Sequence, residues 1–137
     1  MIHRLHANLA QVASRLLRAH DLDPVSARIL VLLLERGEMR VGELVERLVL
    51  PQSTVSHQLQ RLERAGLIER NRPAEDSRSV VVTLTARGRP VAAECDELSL
   101  KVHEGMVGDL APGEIETLRA LLHRVFASLD MLRNKGI

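Results

Sequence analysis

One segment limits what this chain can fold into more than any other. Residues 66–88 begin Gly66-Leu67-Ile68, turn polar, and then run Val80-Val81-Val82-Thr83-Leu84 before Thr85. β-Branched and apolar residues on either side of a polar centre read as two strands, 67–72 and 79–84, joined by a tip at 73–78. The apolar residues elsewhere recur with helical spacing. A mainly helical protein must therefore carry one short β-arm, with Glu75, Asp76 and Arg78 at its tip.

The helices follow from spacing. Ile2, Leu5, Leu9, Val12 and Leu16 alternate by three and four, one stripe on a first helix. Asp23 is placed to cap the second helix, with Pro24 at its first position. Residues 29–34 are apolar on most sides, which makes that helix central, and Gly37 ends it. Val41, Leu44, Val45 and Leu48 mark a short third helix. Val55, Leu59 and Leu62 mark a fourth, stopped by Gly66. After the arm, Thr85 is placed to cap a fifth helix with the stripe Val91, Cys95, Leu98, Val102 and Met106. Pro90, about one turn in, is expected to loosen its start. The sixth carries Ile115, Leu118, Leu122, Val125, Leu129 and Leu132. Ala111 has no side chain to cap it, and the last residues, Asn134 to Ile137, are expected to fray.

The 137 residues suit one domain, or one core with an appended element. Phe126 is the single aromatic residue, so the core has to be built from Leu, Val, Ile and Ala. With Cys95 as the single cysteine there is no internal disulfide, which fits a reducing compartment. Neither a run of about 20 apolar residues nor a signal peptide is present, so a soluble, cytoplasmic protein is expected. A glycine-rich phosphate loop, an HExxH pair and an assignable Ser-His-Asp set are also missing. No enzyme, cofactor or bound metal is expected.

The stripes on the first and last helices are long and continuous, whereas the middle they flank is compact. A second copy of the chain is the simplest cover for them. The division expected is 1–20 and 90–137 for dimerisation and 21–89 for a separate lobe. The competing arrangement packs these stripes against each other within one monomer.

Residues 41–66 have helix-turn-helix spacing: a short helix, a tight turn at Val49-Leu50-Pro51, and a longer helix. With Val55, Leu59 and Leu62 inward, Ser53, His57, Gln60 and Arg64 point outward, flanked by Thr54, Ser56 and Arg61. These groups can hydrogen-bond base edges or phosphates, and no acidic residue interrupts 51–62. A plain solvated face would also show a polar stripe. The β-arm shifts the balance, because a ribbon directly after a helix-turn-helix is a wing. Charge agrees. The chain has a formal net charge of +1, but seven Arg face four carboxylates in 57–89, while 90–137 holds five basic and eight acidic residues. A basic middle and an acidic remainder suit a DNA-binding face and a remote dimer body. The expected fold is thus mainly α with a two- or three-stranded β-wing, a winged helix-turn-helix, intertwined as a homodimer through its N- and C-terminal helices.

Gly66-Leu67-Ile68, Arg70, Asp76-Ser77-Arg78-Ser79, Val80, Val82, Leu84-Thr85 and Gly88 together resemble the wing of the MarR family, the multiple-antibiotic-resistance type regulators. The helix-turn-helix is similar as well, and helix order and length match over nearly the whole chain. The resemblance implies a DNA-binding transcriptional regulator, a repressor bound as a homodimer to a pseudo-palindromic duplex. It implies that Arg78 enters the minor groove and that Asp76 braces the wing by pairing with a nearby Arg. DNA contacts are expected from Ser53, Thr54, Ser56, His57, Gln60, Arg61, Arg72 and Arg78. His57 stands where the family often has Arg, and Val49 where a glycine is common.

Many such regulators release DNA on binding a small, often aromatic, acid between dimer body and DNA-binding lobe. The resemblance places Arg28 at that cleft, where an acid ligand or a partner-subunit carboxylate would pair with it, and Ser14, Arg15 and His6 are candidate neighbours. Two other sensing modes remain open: an ArsR-like response to metal and a cysteine-based redox response. The first lacks paired cysteines. For the second, Cys95 replaces an apolar residue in a stripe and has no neighbouring base, which suits packing.

Overall fold

A computed structural model describes every residue except Ser77 of the wing tip and the terminal Ile137. The chain divides into two compact units, Met1–Val102 and His103–Ile137. The first unit opens with α1 (Ile2–Leu17) and a 3-10 turn at Arg18–His20. It continues through α2 (Pro24–Arg36), β1 (Glu38–Arg40), α3 (Val41–Leu48), α4 (Gln52–Arg64), β2 (Ile68–Asn71) and β3 (Val81–Leu84) into α5 (Gly88–Val107). The second unit takes the end of α5 and holds α6 (Pro112–Asn134).

The β-arm is there, with one strand more than its two halves announce. The sheet order is β1-β3-β2. Both pairings are antiparallel, with Ile68 opposite Leu84 and Asn71 opposite Val81 on one side, and Arg40 opposite Val81 on the other. The paired strands are shorter than 67–72 and 79–84 because the chain beyond Asn71 leaves the ladder for turns: Asp76 N–H donates to the Pro73 carbonyl, and Ser79 N–H to that of Asp76. In β3, Val82 and Leu84 face inward, the period-2 burial of a half-covered strand.

The core gathers the expected stripes. Ile29, Leu30 and Leu33 of α2 meet Leu44 and Leu48 of α3, and Val55, Leu59 and Leu62 of α4, with Met39, Ile68 and Val82 of the sheet below them. These residues are between 0% and 5% exposed, so α2 is the central helix its composition demands. Asp23 caps α2 by accepting the Ser26 N–H at 2.9 Å.

Two expectations at helix starts change. Pro90 does not disturb α5, because the helix begins at Gly88 and Pro90 falls in its first turn, where an N–H would lack an intrahelical acceptor anyway. Ala111 cannot cap, but the Glu114 carboxylate accepts the Ala111 N–H at 2.8 Å and supplies half of a capping box.

Thr85 ties the wing to the helices on both sides. Its hydroxyl donates to the Gly66 carbonyl at 2.6 Å and accepts the Gly88 N–H at 2.9 Å. Gly66, at φ +73°, turns the chain out of α4. Gly88 packs so closely that a Cβ there would collide with the Leu67 carbonyl.

The end helices differ from this core. Leu5, Leu9, Val12 and Leu16 of α1 and Leu118, Leu122, Val125, Leu129 and Leu132 of α6 are all exposed. No helix among the described residues is long and apolar enough to cross a membrane.

Candidate nucleic-acid interface

The turn into α4 passes through Val49, which adopts a left-handed conformation (φ +55°). Val55, Leu59 and Leu62 then bury one side of the helix, and this fixes what the other side shows. Ser53, His57, Gln60 and Arg64 are exposed, and Thr54 and Ser56 half-buried, as their wheel positions require.

An open groove joins this helix to the wing. Gln52 and Ser56 of α4 line it together with Arg40, Arg70, Arg78 and Ser79. The N-terminal half of α4 and the wing-tip arginine thus face one hollow, with hydroxyl, amide and guanidinium groups and the Glu43 carboxylate along it. Arg72, at the end of β2, is exposed as well.

The tip is held by polar contacts instead of packing. The Asp76 carboxylate accepts the Ser79 hydroxyl, the Arg78 N–H at 3.1 Å and one Arg40 nitrogen at 3.4 Å. Arg40 also donates to the Ser79 hydroxyl at 2.8 Å. The Ser79 hydrogen bond first, and then the Arg78 N–H, hold the Asp76 carboxyl below the usual carboxylate range; burial opposes them, and the Arg40 charge contributes less than either. The arginine opposite Asp76 is therefore Arg40. It stands 36 residues away, just ahead of α3, and no local pattern marks it.

Other cations at this face are already engaged. Arg70 donates from two nitrogens to one Glu63 oxygen and links β2 to the last turn of α4. Its hydrogen bond holds the Glu63 carboxyl below its ordinary value. Arg61 donates to Asp23 at 2.9 Å, so the structure gives it a carboxylate just ahead of α2 as partner. The excess of arginines in 57–89 is thus smaller in effect than a count implies.

The residues considered for an acid ligand are exposed in the single chain. Arg28 is exposed, flanked by the buried Ala27 and Ile29. Its guanidinium is solvated in the single chain, so burial does not oblige it to find an anion there. His6, Ser14 and Arg15 lie exposed on α1, which packs against α2. Cys95 is 3% exposed, and burial, then the Glu94 carboxylate, push its thiol up. A thiol kept protonated is a poor nucleophile, which weighs against a redox switch. Among the described residues, no group of three or more His, Cys, Asp or Glu side chains converges as a metal site would require.

Comparison with known proteins agrees with this geometry. A model of the MarR family matches residues 20–79. Over 94% of its length the chain is 27% identical to the HTH-type transcriptional repressor IacR of Pseudomonas putida, 77% of which is covered. Its backbone matches that of a mutant MarR from E. coli complexed with operator DNA at a TM-score of 0.81 and 25% identity, over 90% of this chain and 89% of that one. It also matches NadR in complex with 4-hydroxyphenylacetate, at a TM-score of 0.76 and 25% identity, over 90% and 88%.

Proposed function

We propose that the chain is a transcriptional regulator of the MarR family, a repressor released from a specific duplex by a small aromatic carboxylic acid. One observation carries the DNA part: Gln52 and Ser56, in the N-terminal half of α4, and Arg78 of the wing tip line the same groove. A helix of that polarity enters a major groove, and a tip arginine beside it reaches the neighbouring minor groove, whose narrow stretches attract a guanidinium. Ser53, Thr54, Ser56, His57 and Gln60 read or position on this view, with Arg72 and Arg78 on the wing side. Asp76 braces the tip through Arg40 and Ser79.

Two copies act together. Residues 1–20 and 90–137 form the dimer body through the exposed stripes of α1 and α6, and 21–89 form the DNA-binding lobe. Two α4 helices then meet successive major grooves roughly 34 Å apart, so the operator is a near-palindrome. The release step rests on the likeness to NadR, whose structure was solved with an aromatic acid, and on the exposed Arg28 of α2. IacR, a named repressor, supports the sign of regulation.

The test begins with a duplex enriched by the wild-type protein from a random-sequence pool. Salt-titrated isotherms on it and on a scrambled duplex are then compared for wild type and Arg78→Ala. Loss of the wing contact weakens both DNAs by about 1–3 kcal/mol per wing and flattens the salt dependence. Adding 4-hydroxyphenylacetate should release the wild type but not Arg28→Ala. Unchanged binding by Arg78→Ala would remove the wing from the interface.

A further inference from the structure

Among the described residues, the buried polar residue of the core is Ser26, only 2% exposed, and its partner lies on the candidate recognition helix. Its hydroxyl donates to the Gln58 side-chain oxygen at 2.9 Å. One α-turn along, Arg61 donates to Asp23 at 2.9 Å. The two oxygens of that carboxylate serve two helices: Oδ1 caps α2 through the Ser26 N–H, and Oδ2 holds Arg61. Arg61 also reaches the Gln58 oxygen at 3.4 Å, which closes the four residues into one network.

We propose that Asp23, Ser26, Gln58 and Arg61 form a polar clamp that sets the roll of α4 about its own axis, and that Arg61 is a positioning residue, not a DNA contact. Apolar packing through Val55, Leu59 and Leu62 fixes which side of α4 is buried. Interdigitated aliphatic side chains still leave a helix some freedom to roll. Hydrogen bonds are directional and remove that freedom. Gln58 and Arg61 leave α4 on its α2-facing flank, so a roll that keeps both bonds keeps Ser53, His57 and Gln60 at fixed angles to the groove. Without Gln58 the Ser26 hydroxyl would keep only its longer contact to Asp23 Oδ2, at 3.4 Å, so the register is favoured on the buried side as well. The clamp rests on the DNA-binding reading for its consequence and on the geometry alone for its existence.

The experiment uses the full-length protein with Asp23→Asn, Arg61→Met, the double variant, and Ser26→Ala. The DNAs are the duplex enriched by the wild type and its scramble. The clamp predicts that Arg61→Met lowers the ratio of specific to scrambled affinity by about tenfold, the scale of one misread base pair. The salt slope should stay as in the wild type. A phosphate contact instead predicts a slope shallower by about 0.9 per protomer, with both DNAs weakened alike. Asp23→Asn separates the two directly. It frees Arg61, so a DNA-contacting Arg61 gains affinity, whereas a positioning Arg61 loses discrimination. The double variant should be no worse than either single one, and Ser26→Ala should shift the ratio in the same direction. A shallower slope for Arg61→Met, or tighter binding by Asp23→Asn, would overturn the clamp. If the wild type enriches no sequence, the regulator reading falls. The clamp is then judged by thermal unfolding, where additive effects of Asp23→Asn and Arg61→Met would overturn it.

Discussion

The apolar stripes of α4 and α6 are equally regular, and they end in opposite surroundings. Val55, Leu59 and Leu62 are at most 2% exposed, while Leu122, Val125 and Leu129 are each more than half exposed. Periodicity states that a face needs cover. It does not state what covers it. In α4 the cover comes from α2, α3 and the sheet, elements joined by short links, so the lobe closes on itself. The α6 stripe is exposed in the single chain, and in the proposed dimer a second copy would cover it. The first kind of stripe contributes to the stability of one chain, and the second to a concentration-dependent assembly. Substitutions on the two sides should therefore be read out by different experiments.

The largest effect is expected inside the lobe. Gly88→Ala forces a Cβ against the Leu67 carbonyl, and neither partner is a flexible side chain that can move away. The wing and α5 cannot both keep their places. The cost should exceed about 3 kcal/mol, beyond ordinary overpacking. A urea midpoint within about 1 M of the wild type's would show that this junction yields, and that the lobe is less closed than its core implies.

The next effect belongs to the other stripe. Leu122→Arg places a charge in the centre of the α6 face, which is solvated in one chain and would be covered in the proposed dimer. Sedimentation should show a dimer for the wild type and a folded monomer for the variant, with unchanged helicity by circular dichroism. A variant that unfolds would place α6 within a chain's own core. A wild type that sediments as a monomer would remove the need for a second copy.

These two stripes also show where sequence reasoning reaches. The six helices, the arm and the inward residues of α4 come from local spacing, and the fold follows them. What is missing from the sequence pattern is separated along the chain. β1 is three residues long, too short for a period, and is a strand only because Val81–Leu84 lies beside it. Arg40 meets Asp76 across 36 residues, and Arg61 meets Asp23 across 38. No local pattern singles out Arg40, and wheel position alone assigns Arg61 to DNA. Charge counts carry no partner information, so Arg70 and Arg61 are counted as basic surface although each already faces a carboxylate. Apolar neighbours suggest that Arg28 needs an anion, yet it is exposed between the buried Ala27 and Ile29.

Acid gives a smaller, graded effect that separates the wing from the lobe. Asp76 and Glu63 both have lowered carboxyl values, Asp76 through Ser79 first and Glu63 through Arg70 first. A lowered folded value means that the ionised form is favoured in the native state. Its stabilisation is complete above the unfolded value, near pH ~4, and is lost as pH falls through the folded value. The wing should therefore keep its order at neutral pH and loosen only in acid, before the apolar core opens. Hydrogen exchange of the Arg78 and Ser79 amides against pH reports this, with amides of α2 as the internal reference. Asp76→Asn should remove the acid step at the tip and leave α2 protection unchanged. A tip that loosens with the same profile in Asp76→Asn would assign the acid effect to other groups.

The smallest effect tests a conflict inside the helix-turn-helix itself. Val49 holds φ +55° between α3 and α4, a region that a β-branched side chain enters only with strain. For an L-residue that conformation is less favourable by roughly 1–2 kcal/mol. Glycine adopts it freely, but gives up roughly 0.5–1 kcal/mol more backbone entropy on folding. Val49 is 48% exposed, so little packing is lost with its side chain. The balance favours Val49→Gly by about 0.5–1 kcal/mol. Val49→Asn should gain a similar amount, since Asn tolerates this region and keeps more order in the unfolded chain. The urea midpoint should rise for both with no change in slope, because the surface exposed on unfolding is the same. The turn sits directly ahead of Ser53, so the comparison extends to DNA. If the strained turn serves only to connect, both variants bind as the wild type does. If it tilts the start of α4, stability rises while discrimination between the enriched and scrambled duplexes falls. A lowered midpoint for both variants would show that the half-exposed Val49 packs well enough to outweigh its strain.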